Sequence, residues 1–157
     1  MYPILAALLI AVASNCQALE PITPENAPIV VYKTEAAFAD IKENVEMAIT
    51  DRGMLITNVL HISEMLERTA ADTGLDKKLY NNAESFEFCS IAMSYRMSSA
   101  HPANMATCPL TISVYQTPDD PAHVYLAFRR PRFLGSGVEA EAALTTLLNE
   151  IAQESLE

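Results

Sequence analysis

Between residues 29 and 62 the apolar positions of this chain change period twice. Ile29-Val30-Val31-Tyr32 is a short apolar run that predicts a first strand. Phe38, Ile41, Val45, Ala48 and Ile49 then recur at helical spacing, with Thr34 placed as N-cap and Gly53 as the left-handed residue that ends the helix. From Met54 to Ile62 the pattern alternates. It predicts a second strand with Met54, Ile56, Leu60 and Ile62 on one face and Leu55, Thr57, Val59 and His61 on the other.

Ser63 is placed to cap a short helix through Met65, Leu66, Thr69 and Ala70, ending near Gly74, and residues 76–82 read as a polar loop. Residues 83–89 alternate Ser85 and Glu87 against Phe86 and Phe88, a half-buried third strand. Residues 90–100 read as a helix stopped at His101-Pro102, because the residue before a proline is pushed out of the helical region. Leu110, Ile112 and Val114 alternate with Thr111, Ser113 and Tyr115 in a fourth strand. Pro118-Asp119-Asp120-Pro121 turns the chain into a fifth, where Val124, Leu126 and Phe128 alternate with His123, Tyr125 and Arg129. After a linker holding Gly135 and Gly137, Val138, Leu144, Leu147, Leu148 and Ile151 mark a terminal amphipathic helix.

Strands with one polar face predict an α+β domain, a mostly antiparallel sheet of about five strands with helices on one side. If the third and fourth strands are antiparallel neighbours, the end of one lies beside the start of the other. Cys89 and Cys108 would then meet.

The first 18 residues obey a different logic. Ile4 to Ala13 form an apolar core, and Cys16-Gln17-Ala18 brings small residues to a cleavage position, so the segment reads as an export signal with a mature chain from Leu19. It is shorter than the roughly 20 helical residues that span a bilayer. The lipoprotein alternative, with the acyl chain on Cys16, has Asn15 and Ala13 in poor positions for processing. Residues 19–28 carry Pro21, Pro24 and Pro28 and read as an extended lead-in, which leaves residues 29–157 as one domain. The net charge of −10 disfavours nucleic acid and anionic membrane surfaces as partners.

In order and spacing, several of these pieces resemble a known family. The long helix ending in Gly53-Met54, the strand end Phe86-Glu87-Phe88-Cys89, the His101-Pro102 break and the strand Cys108-Pro109-Leu110 to Val114-Tyr115 are similar to the bacterial domain of unknown function 302. The resemblance covers roughly residues 30–131. This chain departs from the family pattern at Ser90 (usually Asn), His101 (Asp), Thr107 (Pro) and Gln116 (an acid). The resemblance implies a TATA-binding-protein-like fold, a curved antiparallel sheet with helices, and pairing into a homodimer. It implies no activity.

With Cys16 in the leader, Cys89 and Cys108 are the remaining thiols. In an oxidising compartment an even thiol count reads first as a disulfide, here closing a loop worth about 3 kcal/mol. A redox-active or sulfur-carrying pair is the second reading, since Ser90 opens a helix and helix N-termini lower a thiol pKa. Buried unpaired thiols are the third. Cys89, Met93, Met97, His101 and Met105 recur every four residues, a spacing that suits soft ligands for copper or haem iron. It suits an ordinary buried helix face better, and Pro102 breaks the run, so His101 and Met105 are the weak metal candidates that remain. No haem-attachment sequence is present, and no cofactor is expected.

His61 and His123 both fall on predicted polar strand faces, and if their strands share a sheet Tyr125 and Arg129 would line the same patch. Isolated strand histidines are more often plain surface residues. Arg129, Arg130 and Arg132 form a basic cluster, for which pairing with Glu139 or Glu141 of the terminal helix is the simpler account. Asp119 and Asp120 read as solvated turn residues. Phosphate-binding glycine loops, nucleophile elbows and zinc-protease motifs are missing. The leading expectation is therefore an exported, non-catalytic binding or accessory domain of the bacterial envelope, dimeric and braced by Cys89 and Cys108. The runner-up is a periplasmic thiol-redox, sulfur-handling or soft-metal protein using Cys89, Cys108 and His101. A small apolar or anionic ligand over His61, His123 and Arg129 is a third possibility.

Overall fold

The computed structural model describes residues 19–75 and 77–157; the proposed leader, with Cys16, lies outside the described residues. Five strands, β1 (Ile29–Thr34), β2 (Leu55–His61), β3 (Asn82–Cys89), β4 (Leu110–Thr117) and β5 (Asp120–Arg129), form one antiparallel sheet in the order β1-β5-β4-β3-β2. The last four run as a meander, and β1 joins at the far side of β5. Helix α1 (Phe38–Thr50) links the two edge strands, so it must cross a whole face of the sheet. It carries Ile41, Val45, Ala48 and Ile49 into the core on the way.

Helix α4 (Val138–Ser155) packs beside α1 and brings Leu144, Leu148 and Ile151 to the same core. Beneath the two helices lie Val30 and Tyr32 of β1, Phe86 and Phe88 of β3, Ile112 and Val114 of β4 and Leu126 of β5, each 1% exposed or less. The opposite face of the sheet is lined by small and polar side chains such as Ser85, Ser113 and Ala127, which share one row across the pairing register. Two packed layers thus give the α+β fold that alternation predicted.

Two local expectations are corrected. Thr34 ends β1 and its hydroxyl accepts from Ala36 N, while Ala37 takes the N-cap position of α1. Ser63 lies inside α2 (Ile62–Thr73), whose N-cap is His61, and its hydroxyl accepts from Ala83 N to tie the helix to β3. Gly74 caps α2 as expected, while α1 ends at Thr50 with Asp51 as its C-cap, two residues before Gly53; both glycines have the left-handed backbone that a side chain resists, with φ of 69° at Gly53 and 68° at Gly74.

The larger correction concerns β2. Its pairing with β3 shifts between Ile56 and Asn58, a bulge at Thr57 that reverses the inside-outside phase of the rest of the strand. Ile56 and Val59 pack on the core, and Leu60 faces out at 38% exposed. His61, paired with Glu84, therefore sits on the helix-bearing face, opposite to the expectation.

Between β3 and β4 the chain builds α3 (Ile91–Ala100) and a 3-10 helix over Pro102–Thr107 that has no counterpart in the sequence pattern. Ser90 caps α3 by accepting from Met93 N, and the His101 imidazole caps the 3-10 helix by accepting from Ala103 N through Nδ1. No helix among the described residues is long and apolar enough to cross a membrane.

Candidate functional site

The antiparallel pairing of β3 with β4 ends at Phe88 and Leu110, so Cys89 and Cys108 leave the sheet side by side at one rim. Their sulfurs are 2.9 Å apart, and Ser94 Oγ of α3 lies 3.7 Å from Cys108 Sγ. Both cysteines are half-buried. The hydrogen bond to Cys108, with burial second, pushes the Cys89 thiol up to about 11. Everything between the two cysteines is α3 and the 3-10 helix, so a bond here would close that excursion at its two ends. Asn104 anchors the same excursion from within. This 4%-exposed side chain donates to Met97 O and Leu134 O and accepts from Leu134 N.

His101 stands apart from the sulfurs. It comes directly after the last residue of the ten-residue α3, roughly 15 Å along the helix from Cys89, and its Nδ1 is taken up in capping. Met97 is buried, Met93 packs against the core and Met105 is 67% exposed. The four-residue stripe therefore divides between core packing and open surface, and it forms no common ligand set.

The histidines on the sheet are separated as well. His61 belongs to β2 and His123 to β5, three strand spacings or about 14 Å apart, and they project from opposite faces. His61 Nδ1 lies 3.4 Å from Glu84 Oε1, and Lys42 Nζ of α1 pairs with the same carboxylate at 2.9 Å and 3.0 Å. Glu84 Oε2 has no well-aligned hydrogen bond, so its interaction with Lys42 is Coulombic.

His123 and Tyr125 do meet, through a residue that the turn pattern marks only as solvated. Asp120 opens β5 and receives Lys33 Nζ at 2.8 Å, the Tyr125 hydroxyl at 2.5 Å and His123 Nδ1 at 2.6 Å. Those donors, Lys33 first, hold its carboxyl well below the usual carboxylate range. The same bond raises Lys33, and the bond to Asp120 raises Tyr125. His123 Nε2 points toward Glu35, 3.9 Å away.

Tyr125 stacks on Tyr115 with ring centroids 5.1 Å apart, Tyr80 meets Tyr115 edge-on at 5.7 Å, and Lys33 covers the other side of the Tyr125 ring at 5.5 Å. Both faces of the Tyr125 ring are thus occupied. The cluster works as a polar clasp joining β1, β5 and β4 on the face opposite the core. Arg129 lies at the other end of β5, roughly 13 Å along the strand, exposed and outside the clasp.

The rest of the basic cluster disperses. Arg130 donates to Ala27 O of the lead-in, and Arg132 pairs with Glu141 at 3.6 Å, in line with the simpler account. Among the described residues no group of three His, Cys, Asp or Glu side chains is arranged to hold a metal ion. The pairings of Asp120 with Lys33, Glu84 with Lys42 and Asn104 with Leu134 give no signal in the sequence because each joins residues far apart in the chain. Only the pairing of β1 with β5 identifies Lys33 and Tyr125 as neighbours.

No curated protein matches the chain. A solved structure of similar shape is the crystal structure of an uncharacterized conserved DUF302 protein from Bacillus stearothermophilus. It is 16% identical, the superposition covers 82% of this chain and 92% of that one, and the TM-score is 0.57, a likeness of fold. The family described as Domain of unknown function DUF302 matches residues 30–156, from the first core residue of β1 to the end of α4. The chain belongs to the DUF302 family.

Proposed function

We propose that this protein is an exported, non-catalytic domain of the bacterial envelope that acts as a homodimer in binding or supporting another envelope component, with Cys89 and Cys108 oxidised to a brace. The observation that carries the reading is the 2.9 Å separation of the two sulfurs at the rim of the sheet. A disulfide needs that separation to close to about 2.05 Å. The excursion it would fasten contributes little to the core of its own accord, since Met97 is the one apolar side chain of α3 that is buried.

The Cys89 thiol, pushed up to about 11 first by its hydrogen bond to Cys108, departs from the lowered pKa to which reactive cysteines owe their nucleophilicity, which supports a brace at this residue. The placement of His101 at the far end of α3 from Cys89, with its Nδ1 engaged in capping, favours the brace over the soft-metal alternative. Equilibrium unfolding with and without reductant tests the brace. The oxidised protein is expected to lose about 3 kcal/mol on reduction, and Cys89→Ser to show no dependence on reductant. A wild-type protein indifferent to reductant would contradict the reading.

A further inference from the structure

Cys89 and Cys108 are not equivalent members of their pair. Cys89 is the last residue of β3, directly after the fully buried Phe88, and it still holds a register position opposite Leu55 of β2. Cys108 belongs to no strand. It lies between the 3-10 helix and β4, where Met105, Ala106 and Pro109 are exposed and the Cys108 N–H closes the 3-10 helix by donating to Met105 O. Backbone at Cys108 can therefore shift outward without breaking the sheet, and backbone at Cys89 cannot.

The hydrogen-bond partners are unequal as well. Cys108 Sγ has two neighbours able to donate to it, the Cys89 thiol at 2.9 Å and Ser94 Oγ at 3.7 Å. Among the described residues Cys89 Sγ has Cys108 alone. Ser94 sits one turn into α3, with its N–H donating to Ser90 O, so the helix holds its hydroxyl in place beside the pair. An anionic sulfur at Cys108 is thus met by two donors and one at Cys89 by a single donor.

We propose that Cys108 is the sulfur through which the brace is made, attacking an incoming disulfide first, and that Cys89 then closes the bond. The inference rests on the brace reading above and adds the order of its two steps. In the first step the Cys108 thiolate displaces one sulfur of the incoming disulfide, which leaves as a thiolate, and a mixed disulfide stands on Cys108. In the second, Cys89 loses its proton and attacks the Cys108 sulfur, and the other half of the oxidant leaves. Two protein thiols are oxidised to one disulfide, one external disulfide is reduced to two thiols, and the two protons of the pair end on the departing sulfurs. The raised Cys89 thiol fits the second role, since it keeps its proton while Cys108 reacts. Ser94 acts as a positioning residue, with its hydroxyl directed to Cys108.

Timed reaction of the reduced full mature chain with oxidised glutathione, quenched by alkylation and read by peptide mass spectrometry, tests the order. Wild-type protein is expected to pass through a glutathione adduct on Cys108 and to finish with Cys89 joined to Cys108. Cys89→Ser should accumulate the Cys108 adduct, and Cys108→Ser should form its Cys89 adduct at least about tenfold more slowly. Adding Ser94→Ala should slow capture at Cys108 in the first variant and leave capture at Cys89 in the second unchanged. Capture at Cys89 as fast as at Cys108, or no adduct on Cys108 of Cys89→Ser in the time wild type takes to close, overturns the order and leaves the brace standing. Wild-type protein that ends with glutathione on both cysteines and no bond between them overturns the brace, and the order with it.

Discussion

The Tyr125 hydroxyl donates to Asp120 Oδ2 at 2.5 Å, and the same carboxylate oxygen takes Lys33 Nζ at 2.8 Å, so one turn residue fastens β1 to β5. Lys33 and Tyr125 are register partners, which puts both donors on the face opposite the core at the same level of the sheet. Tyr115 stacks alongside from β4. Three strands are thereby clasped at the end of the sheet farthest from the cysteines.

That clasp sets a pH dependence with a defined sign. Asp120 is held below its ordinary range in the fold, so its contribution to stability is complete above the unfolded carboxylate value of about 3.9 and is lost as pH falls through the lower folded value. Asp120→Asn is expected to lower the melting temperature by a few degrees at pH 7. The gap between variant and wild type should begin to shrink below about pH 4. Melting curves between pH 7 and pH 2 check it; a gap that widens on acidification would contradict the assignment.

On the helix-bearing face, Lys42 neutralises a Glu84 carboxylate that is 14% exposed. Removing the cation leaves that charge poorly solvated, so Lys42→Met should cost about 1–3 kcal/mol in denaturant unfolding. Adding Glu84→Gln to Lys42→Met should recover part of the loss, because the stranded charge goes with it. Simple additivity of the two substitutions would show that they do not interact.

Asn104 is the internal anchor of the segment between the cysteines. Its amide satisfies Met97 O and Leu134 O while its carbonyl oxygen serves Leu134 N, and Asn104→Ala would strand those groups in a site without solvent. The expected loss is about 1–3 kcal/mol, with faster hydrogen exchange in residues 102–107 and at Leu134. Unchanged exchange at Leu134 would speak against the anchor.

The range of each interaction decides how legible it is in the chain. Helices α1 and α4 announce themselves by local spacing, and the meeting of Cys89 with Cys108 comes out once two sequential strands are taken as an antiparallel pair. The faces of β2 depart from simple alternation because a bulge at Thr57 leaves no trace in a pattern of Ile, Thr, Val and Leu. The 3-10 helix is invisible because Pro-Ala-Asn-Met-Ala-Thr has no apolar period. The Asp120 clasp and the Lys42–Glu84 pair depend on contacts between distant segments, β1 with β5 and α1 with β3, to which local composition gives no access.

The direct measurement of the central proposal is the redox state of Cys89 and Cys108 in protein recovered from the periplasm, alkylated before any reduction and then digested for mass spectrometry. The brace predicts one disulfide-linked peptide pair, with neither cysteine alkylated until reductant is added. Recovery of both cysteines in alkylated form, from protein shown to have been exported, would contradict it.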